Sequence, residues 1–234
     1  MALQRSTLGL QHIALLQGLS AERLEQLAER CQWKSLPAAT PVLLRSEQKS
    51  EVYFVVSGAL RVTSYAANGR QVTFRDPQAG EHFGDIAAID GQPRSADVVT
   101  LTPAVVASLD RGAFLELLRD EPMVAERVMR GLAALVRQLS DRVIDLSTLG
   151  VQNRVHAELL RLAQQAGVVD NRARLDPMPT HAELAGRIST NREQVTRELN
   201  ALRREGVLAK DGKALVVPDV ARLAGLVAEV RGFD

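Results

Sequence analysis

The 234-residue chain carries one cysteine, Cys31. A single thiol cannot close an intramolecular disulfide, and it cannot supply the several thiolates of an iron–sulfur cluster. Nor is there an excess of one charge: 29 Lys and Arg stand against 28 Asp and Glu, a formal net charge of +1. Any attraction to nucleic acid must therefore come from a local face. No apolar run is long enough to span a membrane and the N-terminus lacks a signal-peptide pattern, so the cytoplasm is the expected compartment. Among the histidines, His12, His156 and His181 show no metal-ligand spacing. The length suits two modest domains, each with its own core.

What is present is concentrated in three places. The first is Gly84-Asp85-Ile86-Ala87-Ala88-Ile89-Asp90-Gly91-Gln92-Pro93-Arg94-Ser95-Ala96. A leading glycine lets the backbone approach an anion, and the free N–H groups of the following helical turn point at it. Arg94 adds a planar, permanently charged fork and Ser95 a hydroxyl donor. The Asp85 carboxylate repels phosphate but accepts hydrogen bonds from a sugar hydroxyl. One cation beside one sugar-reading acid points to a nucleotide with a single phosphate charge. The bland reading is a surface turn with a buried, salt-bridging arginine.

This segment sits in a β-rich region. Residues about 8 to 31 read as helical, with Leu16, Leu19, Leu24 and Leu27 on one face and Ser20 as an N-cap. From about Trp33 short strand-like runs follow at 42–44, 52–56, 60–62, 72–74, 98–99 and 105–106, with Gly58 and Gly80 as punctuation and Asn68-Gly69 as a hairpin turn. Many short strands in close succession predict a β-roll or barrel rather than a parallel sheet.

The second place is a long helix. Helical texture resumes near Arg111, and a helix over about 121–149, with Pro122 in its first turn, would be roughly 43 Å long. Its apolar residues Val128, Leu132, Leu135, Leu139, Val143 and Leu146 step by threes and fours, which fits the seam of a parallel two-chain coiled coil and hence a homodimer. Leu149-Gly150 is a candidate hinge.

The third place is C-terminal. After a helix carrying Val155, Leu159, Leu160 and Leu162, and a polar stretch from Gly167 to Pro179, Thr180-x-x-Glu183 and Thr190-x-x-Glu193 have capping-box spacing around a tight turn at Ser189. Two short helices so joined form a helix-turn-helix. On the second, Val195, Leu199 and Leu202 fall on one side and Arg192, Glu193, Thr196 and Arg197 on the other. Arginine can donate twice to guanine and glutamate can accept from cytosine N4. Surface ion pairs, Arg192 with Glu198 or Glu193 with Arg197, are the competing explanation. The runs 207–209 and 214–217 flank Asp211-Gly212-Lys213 and read as a wing, with Lys210 and Lys213 suited to phosphate contacts.

The order of glycine-led cassette, long helix and helix-turn-helix resembles the cyclic-AMP receptor protein (CRP/FNR) family of bacterial transcription regulators. The resemblance implies an α+β fold: an N-terminal cyclic-nucleotide-binding β-roll (jelly-roll-like) over 1–120, a dimerisation helix and hinge over 121–150, and a C-terminal winged helix-turn-helix over 151–234. It implies a ligand site of Phe83, Gly84, Asp85, Ile86, Ala87, Arg94 and Ser95, with Leu139 and Ser140 of the long helix facing the purine. It implies DNA contacts from Thr180, Asn191, Arg192, Glu193, Thr196, Arg197 and Lys213 to an inverted repeat of TGTGA-like half-sites. The implied effector is a cyclic mononucleotide, cAMP ahead of cGMP because Ser95 follows Arg94. The implied partners are double-stranded DNA, a second copy of the chain and RNA polymerase.

Three departures stand out. Asp85 occupies a position where the family usually has Glu, Leu139 one where a hydroxyl is common, and Ser189 one where the turn often has glycine. Two other function classes compete. One is a regulator of the same architecture that senses haem, through His82, or redox state or cyclic di-GMP, or that needs no ligand. The other is a nucleotide phosphodiesterase, which needs a metal-binding His/Asp cluster or an activated nucleophile; the sequence offers neither, and the chain is not read as an enzyme.

Overall fold

The computed structural model describes residues 7–66 and 71–231. The expected Asn68-Gly69 turn lies outside them. The described residues divide into two compact units, one within 1–65 and 73–135, the other within 66–72 and 136–234.

The N-terminal helical stretch is not continuous. It forms α1 (Thr7–Gln11), a 3-10 turn at Ala14–Leu16, and α2 (Ala21–Arg30). Gly18 breaks the path at φ +83°, and the Ser20 side chain accepts from Arg23 N at 3.1 Å to start α2 afresh. A residue that caps one helix necessarily lies outside the one before it. All four expected leucines are nevertheless buried.

Eight strands follow: β1 (Gln32–Leu36), β2 (Pro41–Leu43), β3 (Val52–Ser57), β4 (Leu60–Tyr65), β5 (Gln71–Arg75), β6 (His82–Phe83), β7 (Asp97–Thr100) and β8 (Ala104–Leu109), with the short helix α3 (Asp85–Asp90) between β6 and β7. They make two four-stranded sheets, ordered β1-β8-β3-β6 and β2-β7-β4-β5. The pairs β1·β8, β3·β8, β3·β6, β2·β7 and β4·β7 are antiparallel. Strands β1 and β6 were not expected. The first is mostly exposed and the second has two residues, so neither carries a burial signal; pairing with β8 and β3 creates them.

Strand β3 is buried along most of its length because both faces are covered. Tyr53 and Val55 join Leu43, Leu60, Phe83, Val98 and Val106 in one cluster. Phe54, with Ala107 and Leu109, packs instead against Leu24 and Leu27 and against the helices α4 (Arg111–Asp120) and α5 (Pro122–Thr148). This double support fixes the end of β6, from which the cassette leaves.

Helix α5 is as long as its periodicity predicts, but its exposed stripe is rotated from the expected one. Val124 and Val128 are buried in their own chain's core. Met129, Val136 and Val143 are 62 %, 63 % and 61 % exposed, and Leu139 and Leu146 are exposed on the same face. Met129 and Val136 thus replace the Val128 and Leu135 of the expected seam, Val143 keeps its place, and the repeat Met129-Leu132-Val136-Leu139-Val143-Leu146 alternates threes and fours. The reason is angular: one residue is about 100° of helix, so the intrachain core claims Val128 and turns its neighbour outward.

The helix ends at Thr148, and Gly150 takes an extended conformation as N-cap of α6 (Val151–Ala166), so helical structure is interrupted at Leu149-Gly150. The second unit continues with β9 (Val168–Val169), β10 (Arg172–Leu175), α7 (His181–Arg187), α8 (Arg192–Arg204), β11 (Ala209–Asp211), β12 (Ala214–Val217) and α9 (Val220–Arg231). Its sheet runs β11-β12-β10-β9. The polar stretch after Gly167 therefore contains two strands. Asp170 and Asn171 both have positive φ, as a tight two-residue hairpin requires, and Ala173 and Leu175 alternate into the core. Val207 and Leu208 are core residues ahead of the wing strand. The terminal α9, not anticipated from the sequence, adds Val220 and Leu223 to the same core.

Candidate ligand site and nucleic-acid interface

The cassette is built around Arg94. The residue is 4 % exposed, and its guanidinium donates through Nη1 to Gly84 O at 3.0 Å and through Nη2 to Glu51 O at 2.8 Å and Glu51 Oε2 at 3.2 Å. It lies 5.8 Å from the centre of the Tyr53 ring, which stacks on Phe83 at 4.9 Å. Nε remains buried without a partner. Burial pulls the guanidinium below the ordinary arginine value, opposed by Tyr53 and Glu51; it stays charged, as arginine does in proteins.

Gly84 is required for this arrangement. Its φ is +85°, and a Cβ there would meet Arg94 Nη1 and Glu51 O at 2.9 Å each. From Gly84, α3 carries Asp85 half-buried with its Oδ2 3.9 Å from His82 Nε2, and Ile86 exposed. Gly91, at φ +70°, closes the helix by donating to Ala87 O. The return to Arg94 is held by Arg94 N to Glu47 O at 3.0 Å and Ser46 N to Arg94 O at 2.9 Å.

Gly84, Asp85, Arg94 and Ser95 are thus gathered on one short excursion from the β-roll, with Ser95 exposed. Phe83 and Ala87 are buried. Leu139 and Ser140 belong to the second unit; Leu139 is exposed, and Ser140 donates its hydroxyl to Val136 O at 2.9 Å within α5. Glu51 goes unnoticed in the sequence, and His82 stands out there only as a haem-ligand candidate. Glu51 has no motif that links it to a residue 43 positions away, and His82 looks otherwise ordinary until burial, the largest influence, and Arg75 push its imidazole below the usual value against Asp85 and Glu81. Cys31 is inert, its thiol pushed up to about 12 by burial.

In the second unit, the Thr180 hydroxyl accepts from Glu183 N at 3.2 Å while Glu183 Oε2 accepts from Thr180 N at 2.7 Å, a complete capping box. The second cap differs from the expected Thr190-x-x-Glu193. Asn191 accepts from Gln194 N at 2.9 Å, and buried Thr190 bonds the Gln194 side chain. Thr190 is turned inward by the Ser189 residue before it, which holds φ +53° where glycine would be relaxed.

Helix α8 buries Val195, Leu199 and Leu202 and exposes Arg192, Glu193 and Arg197. Neither competing ion pair forms: among the described residues Arg192, Glu193 and Arg197 have no charged partner, and Glu198 binds buried His156 instead, Oε1 to Nε2 at 2.7 Å. Thr180, Asn191 and Thr196 spend side-chain oxygens inside the module. The outward polar groups are therefore Arg192, Glu193 and Arg197, with Lys213 exposed on the wing. Three exposed, unpaired long side chains on a helix behind a tight turn suit the reading of base edges in a major groove.

Residues 33–121 match the cyclic nucleotide-binding domain and residues 153–226 the Crp-like helix-turn-helix domain. The cyclic AMP receptor protein of Thermus thermophilus is 30% identical over 89% of this chain and 94% of its own length. The chain belongs to the CRP/FNR family. Another CRP/FNR relative, the CRP-like cAMP-activated global transcriptional regulator of Mycobacterium tuberculosis, is 28% identical over 90% of this chain and 94% of its own. The solved structure of the c-di-GMP responsive global regulator CLP of Xanthomonas campestris shares the fold at a TM-score of 0.71 and 21% identity, over 85% of this chain and 99% of that one. This CRP/FNR chain is accordingly a DNA-binding transcription regulator with a cyclic nucleotide-binding domain. Among its described residues no cluster of three or more His, Cys, Asp or Glu could hold a metal ion, and no helix is long and apolar enough to cross a membrane.

Proposed function

We propose that the chain is a homodimeric regulator that binds cAMP, with cGMP as the competitor, in the cassette and then recognises an inverted repeat of TGTGA-like half-sites. The work divides as sensor 1–120, dimer helix and hinge 121–150, and DNA-binding module 151–234. The protein acts where the DNA is, in the cytoplasm, without turnover of its effector and in contact with RNA polymerase. The observation that carries the reading is Arg94: a buried, charged fork with an unpartnered Nε–H, beside the left-handed Gly84 and the half-buried Asp85. Gly84, Asp85, Arg94 and Ser95 take the cyclic phosphate and ribose, the backbone at Phe83, Ile86 and Ala87 lines the turn, and Leu139 and Ser140 face the purine. The cAMP named in the two curated relatives supports this choice of effector. The ligand acts through unequal affinity for two packings of the dimer helices, which set the two recognition helices about 34 Å apart on the DNA.

The Glu51 carboxylate on Arg94 favours one second reading, a regulator that works without a cyclic mononucleotide because the arginine already has an anion. Calorimetric titration of the purified dimer with cAMP and cGMP in parallel separates the two. Saturable binding of one, with the ligand intact afterwards, supports the sensor reading; no heat with either supports the second.

A further inference from the structure

We propose that His181 is a further DNA contact and that operator binding is coupled to uptake of a proton by its imidazole. The proposal rests on the DNA-binding role of α8.

His181 is the first residue of α7, and its Nδ1 lies 2.6 Å from Thr196 Oγ1 on α8. Thr196 donates its one hydroxyl proton to Arg192 O at 2.9 Å. Its oxygen must therefore accept from Nδ1–H, which fixes the ring orientation and leaves Nε2 as the group that titrates: a lone pair in the neutral ring, a second donor in the cation. Thr196 shares its arc of α8 with Arg192, Glu193 and Arg197, so the half-buried imidazole is stitched to the edge of the base-reading surface.

The charged groups facing it are Arg203 and Arg192 of α8. The nearest acid on its own helix, Glu183, is turned back onto Thr180 N. Burial and the two arginines hold the imidazole below its ordinary value, so it is neutral in the free protein at neutral pH. A backbone phosphate arriving beside Arg192 reverses that balance. It offsets the arginine fields and accepts from a protonated Nε2–H, so the imidazole's proton affinity is higher on DNA than off it. Between the free and the bound values affinity rises as pH falls, and below the free value it is flat. Linkage limits the slope to about tenfold per pH unit for each His181, or about a hundredfold for both in a dimer.

The test uses the full-length protein, with and without cAMP, and an inverted-repeat duplex selected from a random pool. Anisotropy titrations run from about pH 5.5 to 8 at fixed ionic strength, and calorimetry in two buffers of unlike ionisation enthalpy counts the protons. Wild type should tighten severalfold toward low pH and take up protons. His181→Arg should bind with no such dependence, because its charge is permanent, and His181→Gln should bind more weakly, also without it. An unchanged pH slope and proton count in His181→Gln would overturn the proposal and assign the effect to another group. Wild type that binds no duplex under any condition would overturn the DNA-binding reading and the proposal with it.

Discussion

Arg94 holds two roles that a sequence motif cannot separate. Its fork ties the carbonyls of Gly84 and Glu51 together, and its two remaining N–H groups, on Nε and Nη1, are what a phosphate would meet. Replacing Arg94 with Ala should weaken cyclic-nucleotide binding by about ten- to a hundredfold, the worth of one lost charge-assisted hydrogen bond of about 1.5–3 kcal/mol. Arg94→Lys should recover little of it, since an ammonium cannot span both carbonyls; titration calorimetry gives both values. His82 makes a second prediction at this scale. Its folded-state proton affinity is below the unfolded reference of 6.5, so below that pH the unfolded chain binds more protons and the sensor loses stability as pH falls toward the folded value. Denaturant midpoints measured across that window should decline in wild type and less so in His82→Gln. The motif residues were legible because glycine, arginine and serine carry distinctive chemistry; Glu51 was not, and His82 stood out only as a haem-ligand candidate, because their roles here come from burial and from neighbours brought in by β3 and β6.

Among the elements, the helix-turn-helix was the most legible, since capping and periodicity are local properties. The capping box at Thr180 forms as its spacing predicts, and Thr180→Ala should cost about 1 kcal/mol of stability in the DNA-binding module, read from its melting transition. The second cap falls on Asn191 because the left-handed Ser189 turns Thr190 into the core, a choice that spacing alone leaves open between adjacent polar residues. The missed strands β1, β6, β9 and β10 share another cause. They are short and partly exposed, and β-structure of that kind exists only through a partner strand distant in sequence.

For the whole molecule, the unpartnered stripe on α5 is the feature with most at stake. Met129, Val136 and Val143 are exposed large apolar side chains at coiled-coil spacing. Introducing a charge there, Val143→Glu, should convert a dimer to monomer in sedimentation velocity and abolish binding to an inverted repeat, while cyclic-nucleotide binding by the sensor, whose cores lie elsewhere, should fall by only a few fold. The sequence by itself determined the helix and its length, the β-rich character of the sensor, the cassette and the recognition helix, because each is written in local periodicity, turn chemistry or residue type. Only the tertiary structure decided which seam of α5 is free, that Arg94 is held by Glu51, and that Glu198 serves His156 and leaves Arg192 unpaired. Those outcomes depend on which side chains the packed cores claim first, and burial is a property of the assembled chain.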